Sequence, residues 1–186
     1  MPRPAPDLDA RRDQVLTTAR DLAEAEGWPA VTMRRLASEL GVTQPVLYTV
    51  FDSRQALVDA ITLVGYRELA DALEGAENDP LARMRAYLDF AATHPRTYEV
   101  LFMPSALPFN AQDTPEPMKR AFAAVAPFFP DADGTHTEVV WAVLHGLATL
   151  GAGSRLPPSR AQARLELAHD LLTRTDRSPQ QPTERA

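Results

Sequence analysis

The sequence predicts an all-α protein. Apolar residues recur at helical period along nearly the whole chain, no segment sustains two-residue alternation with β-branched enrichment, and Gly and Pro punctuate the periodic stretches. The first helix is expected from about Asp9 to Glu26, with Val15, Leu16, Ala19, Leu22 and Ala23 on one face and Gly27 as a left-handed stop. Thr32 is placed to cap a short helix, Met33 to Leu40, which Gly41 closes. After Val42, Thr43 can cap a third, Gln44 to Phe51, with Pro45 in the first turn where its missing N–H costs nothing. Two short helices joined by a Gly-containing turn make a helix-turn-helix.

A longer helix follows from near Ser53, carrying Leu57, Ile61, Val64 and Leu69, until Asn78-Asp79-Pro80 breaks it. Pro80 to Thr93 is the next, with Met84, Leu88 and Ala91 inward, then a short helix from Pro95 to Phe102. Met103 to Pro117 holds four prolines and reads as a loop long enough to need a reason. Helices are expected again at about Glu116 to Phe128, Thr135 to Arg155 and Ser159 to Arg174. The organisation predicted is a disordered arm over 1–8, a helix-turn-helix domain over 9–52, a ligand-binding and dimerisation domain over 53–175, and a disordered tail over 176–186.

Composition narrows the function. With 45% apolar residues the chain can pack a core, and with no Cys it offers no disulfide, thiolate zinc site or cysteine nucleophile. The His residues are scattered, so no metal site and no cofactor is expected. No apolar run of signal-peptide type opens the chain, and Val139 to Gly153, its most apolar stretch, is interrupted by His145 and shorter than the roughly 18 residues of a membrane span, so a cytoplasmic protein is expected. A net charge of −6 has the wrong sign for coating nucleic acid, and residues 1–60 hold seven Arg against nine Asp or Glu. Any DNA contact must rest on local placement.

The run Val31-Thr32-Met33-Arg34-Arg35-Leu36-Ala37-Ser38-Glu39-Leu40-Gly41-Val42, then Thr43-Gln44-Pro45-Val46-Leu47-Tyr48 and Phe51-Asp52-Ser53-Arg54-Gln55-Ala56-Leu57, resembles the TetR-family DNA-binding domain over residues 10–61. Phe90-Ala91-Ala92-Thr93-His94-Pro95 with Tyr98, Leu101 and Phe102, and later Trp141-Ala142-Val143-Leu144-His145-Gly146, resemble a TetR C-terminal subfamily marked by Trp-x-x-x-His-Gly. The resemblance implies a dimeric, ligand-responsive regulator.

In a helix-turn-helix the third helix enters the major groove, its N-terminal residues reaching base edges. Gln44 can pair with adenine, Pro45 and Val46 can meet a thymine methyl, and Thr43 and Tyr48 offer hydroxyls to phosphates. Thr49 lies on the same helix; Thr49 and Val50 depart from the aromatic or His residues often found there in the family. The resemblance assigns Arg54 a phosphate contact, and Thr32 and Arg34 a backbone or guanine contact, with Arg34 the foremost reader. Leu47 and Phe51 read as core; Tyr48 suits packing as well as contact.

In the C-terminal part, Met84, Tyr87, Leu88, Tyr98, Leu101, Phe102, Phe109, Phe122, Trp141 and His145 are candidates to line a ligand cavity, and equally suit a plain core. Their character favours a modest-sized hydrophobic or aromatic effector. The helix from Thr135 is apolar on nearly all sides between Val139 and Leu150, and the last helix adds Leu165, Ala168, Leu171 and Leu172. This pair reads as half of a four-helix homodimer interface, or else as a monomer's self-covered stripe. The expected protein is thus a non-enzymatic repressor released from a palindromic operator by a small molecule. The alternatives are a same-fold regulator answering to a protein partner or to nothing, an activator, and an all-α enzyme or small-molecule carrier, for which no Ser-His-acid, paired-carboxylate or phosphate-loop pattern speaks.

Overall fold

The fold is taken from a computed structural model that describes residues 7–109, 112–130 and 133–174. Among these the chain forms α-helices and no strand: α1 (Leu8–Glu26), α2 (Met33–Glu39), α3 (Gln44–Tyr48), α4 (Arg54–Gly75), α5 (Pro80–Thr93), α6 (Pro95–Leu101), α7 (Glu116–Ala123), α8 (Thr135–Ala152) and α9 (Ala161–Thr173). Single 3-10 turns stand at Trp28–Ala30, Ala126–Phe128 and Pro158–Arg160. No helix among the described residues is long and apolar enough to cross a membrane.

Several ends differ from expectation, each for a local reason. The carboxylate of Asp7 accepts from the N–H of Ala10 and starts α1 at Leu8, inside the stretch expected to be a disordered arm; residues 1–6 and the expected tail over 176–186 lie outside the described residues. The helix expected to reach Phe128 stops at Ala123, because the Pro127 ring would meet the carbonyl four residues before it. α3 ends at Tyr48 rather than Phe51, α8 at Ala152 rather than Arg155, and α9 starts at Ala161 after a 3-10 turn at Pro158–Arg160.

The chain divides into two compact units, and the division does not fall at residue 52. The first unit runs through Asp71 and takes back Thr93–Ala121; the second holds Ala72–Ala92 and the chain from Phe122 on. In the first, α1 buries Val15, Ala19, Leu22 and Ala23 together with Trp28, Val31, Leu36, Leu47, Phe51, Leu57 and Ile61, and the same cluster includes Val100 of α6. α6 is therefore core to the helix-turn-helix unit. α4 bonds the last carbonyls of α6: the Thr62 hydroxyl donates to Val100 O at 3.3 Å and the Tyr66 hydroxyl to Leu101 O at 3.4 Å. Trp28 Nε1 donates to Arg96 O at 2.8 Å. The two helices touch closely at Gly65, where a Cβ would stand 2.8 Å from Leu101 Cδ2 and 3.1 Å from Thr97 Cγ2.

The long loop after α6 is fastened to α4. Gln55 Nε2 donates to Pro104 O at 3.2 Å, and the Ser105 hydroxyl donates to the Asp59 carboxylate at 2.8 Å. In the second unit Met84, Tyr87 and Phe90 of α5, Val140 and Leu144 of α8, Leu165 of α9, Val125 and Phe129 are buried. The Tyr87 and Trp141 rings meet edge-to-face with centroids 5.0 Å apart, and Leu172 O accepts from His136 Nε2 at 2.7 Å, tying the start of α8 to the end of α9.

Two predictions follow from the α4–α6 seam. In Gly65→Ala, overpacking of about 1–3 kcal/mol exceeds a helix-propensity gain of about 1 kcal/mol, so a net loss near 1 kcal/mol is expected in denaturant titration. An unchanged or higher midpoint would show that Leu101 swings aside. Burial raises the Tyr66 phenol from 10.0 to about 12, so the folded state keeps its proton while the unfolded chain ionises, and stability falls as pH rises from 10 to 12. Tyr66→Phe is expected to flatten that fall by up to about 2 kcal/mol, and matching pH profiles for the two proteins would contradict the assignment.

Candidate functional site

The helix-turn-helix is built by local hydrogen bonds that the sequence encodes. The Thr32 hydroxyl accepts from the Arg35 N–H at 3.1 Å and starts α2. At its other end Gly41, at φ +62°, lets Val42 N–H reach Ala37 O at 2.9 Å and Gly41 N–H reach Ser38 O at 3.2 Å, a Schellman closure. Only a residue free to take that φ turns the chain into α3 without strain. Thr43 occupies the N-cap position of α3, but its side chain makes no capping bond, which leaves the hydroxyl open to another acceptor or donor.

Leu47 and Phe51 are buried and anchor α3, whereas Thr32, Arg34, Thr43, Gln44, Pro45, Tyr48 and Thr49 are exposed and Val46 is half-buried. The structure thus brings eight of the proposed contact residues to the surface around α2 and α3. Thr49 is less available than its exposure suggests, since its hydroxyl donates to Val46 O at 2.7 Å. Arg54 differs more: its Nε donates to Val31 O at 2.7 Å and its Nη2 to Trp28 O at 3.2 Å, so most of the guanidinium braces the chain entering α2 instead of facing outward.

The other arginines of this region are also engaged. Arg12 stacks 4.2 Å over the Phe51 ring and donates to Val50 O at 2.9 Å, which pins α1 to the end of the recognition helix and was not legible in the sequence. Arg11 bonds Gln14, Arg20 pairs with Glu68, and Arg35 pairs with Glu26 and Glu39. Among the described residues of the helix-turn-helix, Arg34 is the one arginine without a hydrogen-bond or ion-pair partner. In a region of net negative charge, the uncommitted, exposed guanidinium stands two residues past the cap of α2.

The ten ligand candidates do not fall into one unit. Tyr98, Leu101, Phe102 and Phe109 belong to the first; Tyr98 and Leu101 are buried, but Phe102 is 42% and Phe109 57% exposed. Met84, Tyr87, Leu88, Phe122, Trp141 and His145 belong to the second, the first two fully buried and the others half-buried. Burial holds His145 below the ordinary imidazole range, which favours its neutral form; the Thr149 hydroxyl lies 3.5 Å from its Nε2. Arg83, which was not among the candidates, is half-buried on α5 with Nε and Nη1 closed off from solvent and without a hydrogen-bond partner; it shares a helix face with Tyr87 and Phe90.

Comparison with known proteins accords with this geometry. The family described as bacterial regulatory proteins, tetR family, matches residues 15–61, and the family described as tetracyclin repressor-like, C-terminal domain, matches residues 81–175. The chain is 45% identical over 51 residues to the tetracycline repressor protein class C of Escherichia coli, covering 27% of this chain and 23% of that protein. It is 27% identical over 131 residues to the HTH-type transcriptional regulator AlkX of Mycobacterium tuberculosis, covering 64% of this chain and 62% of that one. The chain therefore spans less than two thirds of either relative. A solved structure of a protein with unknown function from Rhodococcus sp. RHA1 superposes with a TM-score of 0.68 at 28% identity, over 94% of this chain and 97% of that one.

The two kinds of arginine separate in experiment. Arg34→Ala is expected to leave thermal stability within about 0.5 kcal/mol while weakening duplex binding, as suits an exposed side chain. Arg54→Ala, which strips two carbonyls of their donors, is expected to cost about 1–3 kcal/mol in denaturant titration. Equal stability of the two variants would contradict the bracing role.

Proposed function

The chain belongs to the TetR family of bacterial regulatory proteins, and on that premise we propose that it is a DNA-binding transcriptional regulator: a dimeric repressor, acting in the cytoplasm, released from a palindromic operator by a small apolar or aromatic ligand. The observation that carries the DNA-binding half is the disposition of α2 and α3, with polar side chains outward and one unpaired arginine among them. Each proposed contact keeps the role its chemistry gives it: Gln44, Pro45 and Val46 toward bases, Thr32, Thr43, Tyr48 and Thr49 toward the backbone, Arg34 toward a guanine or phosphate, and Arg54 chiefly as the brace that orients them.

The dimer is supported by apolar surface left open on a single chain. Val139 and Leu150 of α8 and Leu167 and Leu171 of α9 are exposed, whereas Leu165 is the one residue of α9 that is buried. Two copies sharing these faces would set two recognition helices about 34–36 Å apart, one turn of duplex. Ligand response is supported by α6, which carries Tyr98 and Leu101 of the candidate lining and also places Val100 in the helix-turn-helix core. A ligand that prefers one placement of α6 shifts the population of DNA-competent dimers; driving it from 1:99 to 99:1 takes roughly 5.5 kcal/mol of preference, shared by two sites. The subgroup marked by Trp-x-x-x-His-Gly is the proposed affiliation of the sensing domain.

Selection of bound duplexes from a random library tests the reading. An inverted repeat is expected, bound more weakly by Arg34→Ala, with the salt dependence reduced by about one for each protomer if Arg34 meets a phosphate. The double variant Leu167→Glu, Leu171→Glu is expected to sediment as a monomer and to lose the inverted repeat. Absence of any enriched sequence, or enrichment of a single half-site by a monomer, would overturn the proposal.

A further inference from the structure

Two donors in the second unit are shut away from solvent with nothing to donate to. They are the Arg83 guanidinium, through Nε and Nη1, and the indole Nε1 of Trp141. Arg83 lies on α5 with its guanidinium carbon 5.5 Å above the Phe128 ring. One helical turn on, Tyr87 meets Trp141 edge-to-face at 5.0 Å. The two orphaned donors, from different helices, thus each lie beside an aromatic ring of one compact unit, and Arg83 and the Tyr87 that meets Trp141 stand one turn apart on α5.

Natural proteins seldom leave buried donors unpaired, so each such group calls for an explanation. Among the described residues no carboxylate pairs with Arg83; Asp79, one turn before it on the chain, turns its Oδ2 to the Ala82 N–H at 2.8 Å. Phe128 offers the guanidinium a ring face but no acceptor. Bound water would accept the hydrogens and leave the charge uncompensated.

We propose that Arg83 and Trp141 are the recognition end of the effector site, and that the effector is an organic monocarboxylate with an aromatic or aliphatic body. This rests on the ligand-responsive reading above and specifies its chemistry. A carboxylate brings two acceptor oxygens and one negative charge, which answer a guanidinium and an indole N–H together. A phosphate ester would bring a second charge with no second cation to meet it, since His145, one turn beyond Trp141, is held toward its neutral form by burial. The rings of Phe128, Tyr87 and Trp141 and the buried side chain of Met84 suit an apolar body.

The test uses the purified full chain without DNA, so that its result is independent of operator binding. Matched pairs, 3-phenylpropionate against 3-phenylpropanamide and octanoate against octanamide, are titrated by calorimetry and by thermal midpoint. The acids are expected to bind saturably and raise the midpoint, and the amides to do neither. Arg83→Met is expected to raise the midpoint of the ligand-free protein, because it removes two buried donors that lack acceptors, and to weaken acid binding about ten- to hundredfold. Trp141→Phe, which keeps the ring and loses the donor, is expected to weaken it about tenfold or less. Amides binding as well as acids, no acid binding saturably, unchanged acid binding in Arg83→Met, or a lower ligand-free midpoint for that variant would each overturn the assignment. A neutral compound that releases operator would sink it too, while leaving ligand-controlled repression in place.

Discussion

The short bridge from Gly27 to Val31 holds the helix-turn-helix unit together. It forms only a 3-10 turn, so carbonyls of the bridge and the Trp28 indole bond outward, and two helices take them up. Arg54 at the start of α4 donates to the carbonyls of Trp28 and Val31, and Trp28 itself donates to α6 at Arg96. Gly27, at φ +83°, turns α1 into this bridge. With Trp28 and Val31 both buried, the bridge fixes where α2 begins and hence where the exposed face of α2 and α3 points. A guanidinium that bonds two main-chain oxygens is strong enough to hold that angle and short enough in reach to permit no other.

Charge is managed by sequestration. Among the described residues of the helix-turn-helix, arginines are taken up by carbonyls, carboxylates and a ring face, and Arg34 is left. Most of these pairs are exposed or half-exposed and add little stability individually. Only the carboxylate pairs, those of Arg20 and Arg35, offset a positive charge with a negative one; the carbonyl and ring contacts of Arg12 and Arg54 fix where the charge sits.

The fold class and the helix-turn-helix were legible in the sequence because they depend on local chemistry. Thr32, Gly41 and Pro45 act within a turn of where they stand, and the inward stripes of α1 and α4 follow from period alone. What escaped depends on contacts remote in sequence. The period of α6 shows an apolar face but not that Val100 joins a core formed mostly 40 or more residues earlier. Arg54 reads as a basic residue at a helix start, and only the carbonyls facing it decide that it turns inward. The end of α7 at Ala123 was written in Pro127, a signal outvoted by a longer periodic run.

The economy of α3 bears on how such a protein changes. The recognition helix has five residues, and Leu47 is the one among them buried in the core. Its neighbours Gln44, Pro45, Tyr48 and Thr49 face solvent, where most substitutions alter stability by no more than about 0.5 kcal/mol. Sequence drift at these positions is therefore close to silent for folding while each step re-addresses the surface that meets a partner. A gene duplicate could acquire a new target through a few point changes in one exposed turn, without crossing an unfolded intermediate and without any adjustment in the rest of the chain.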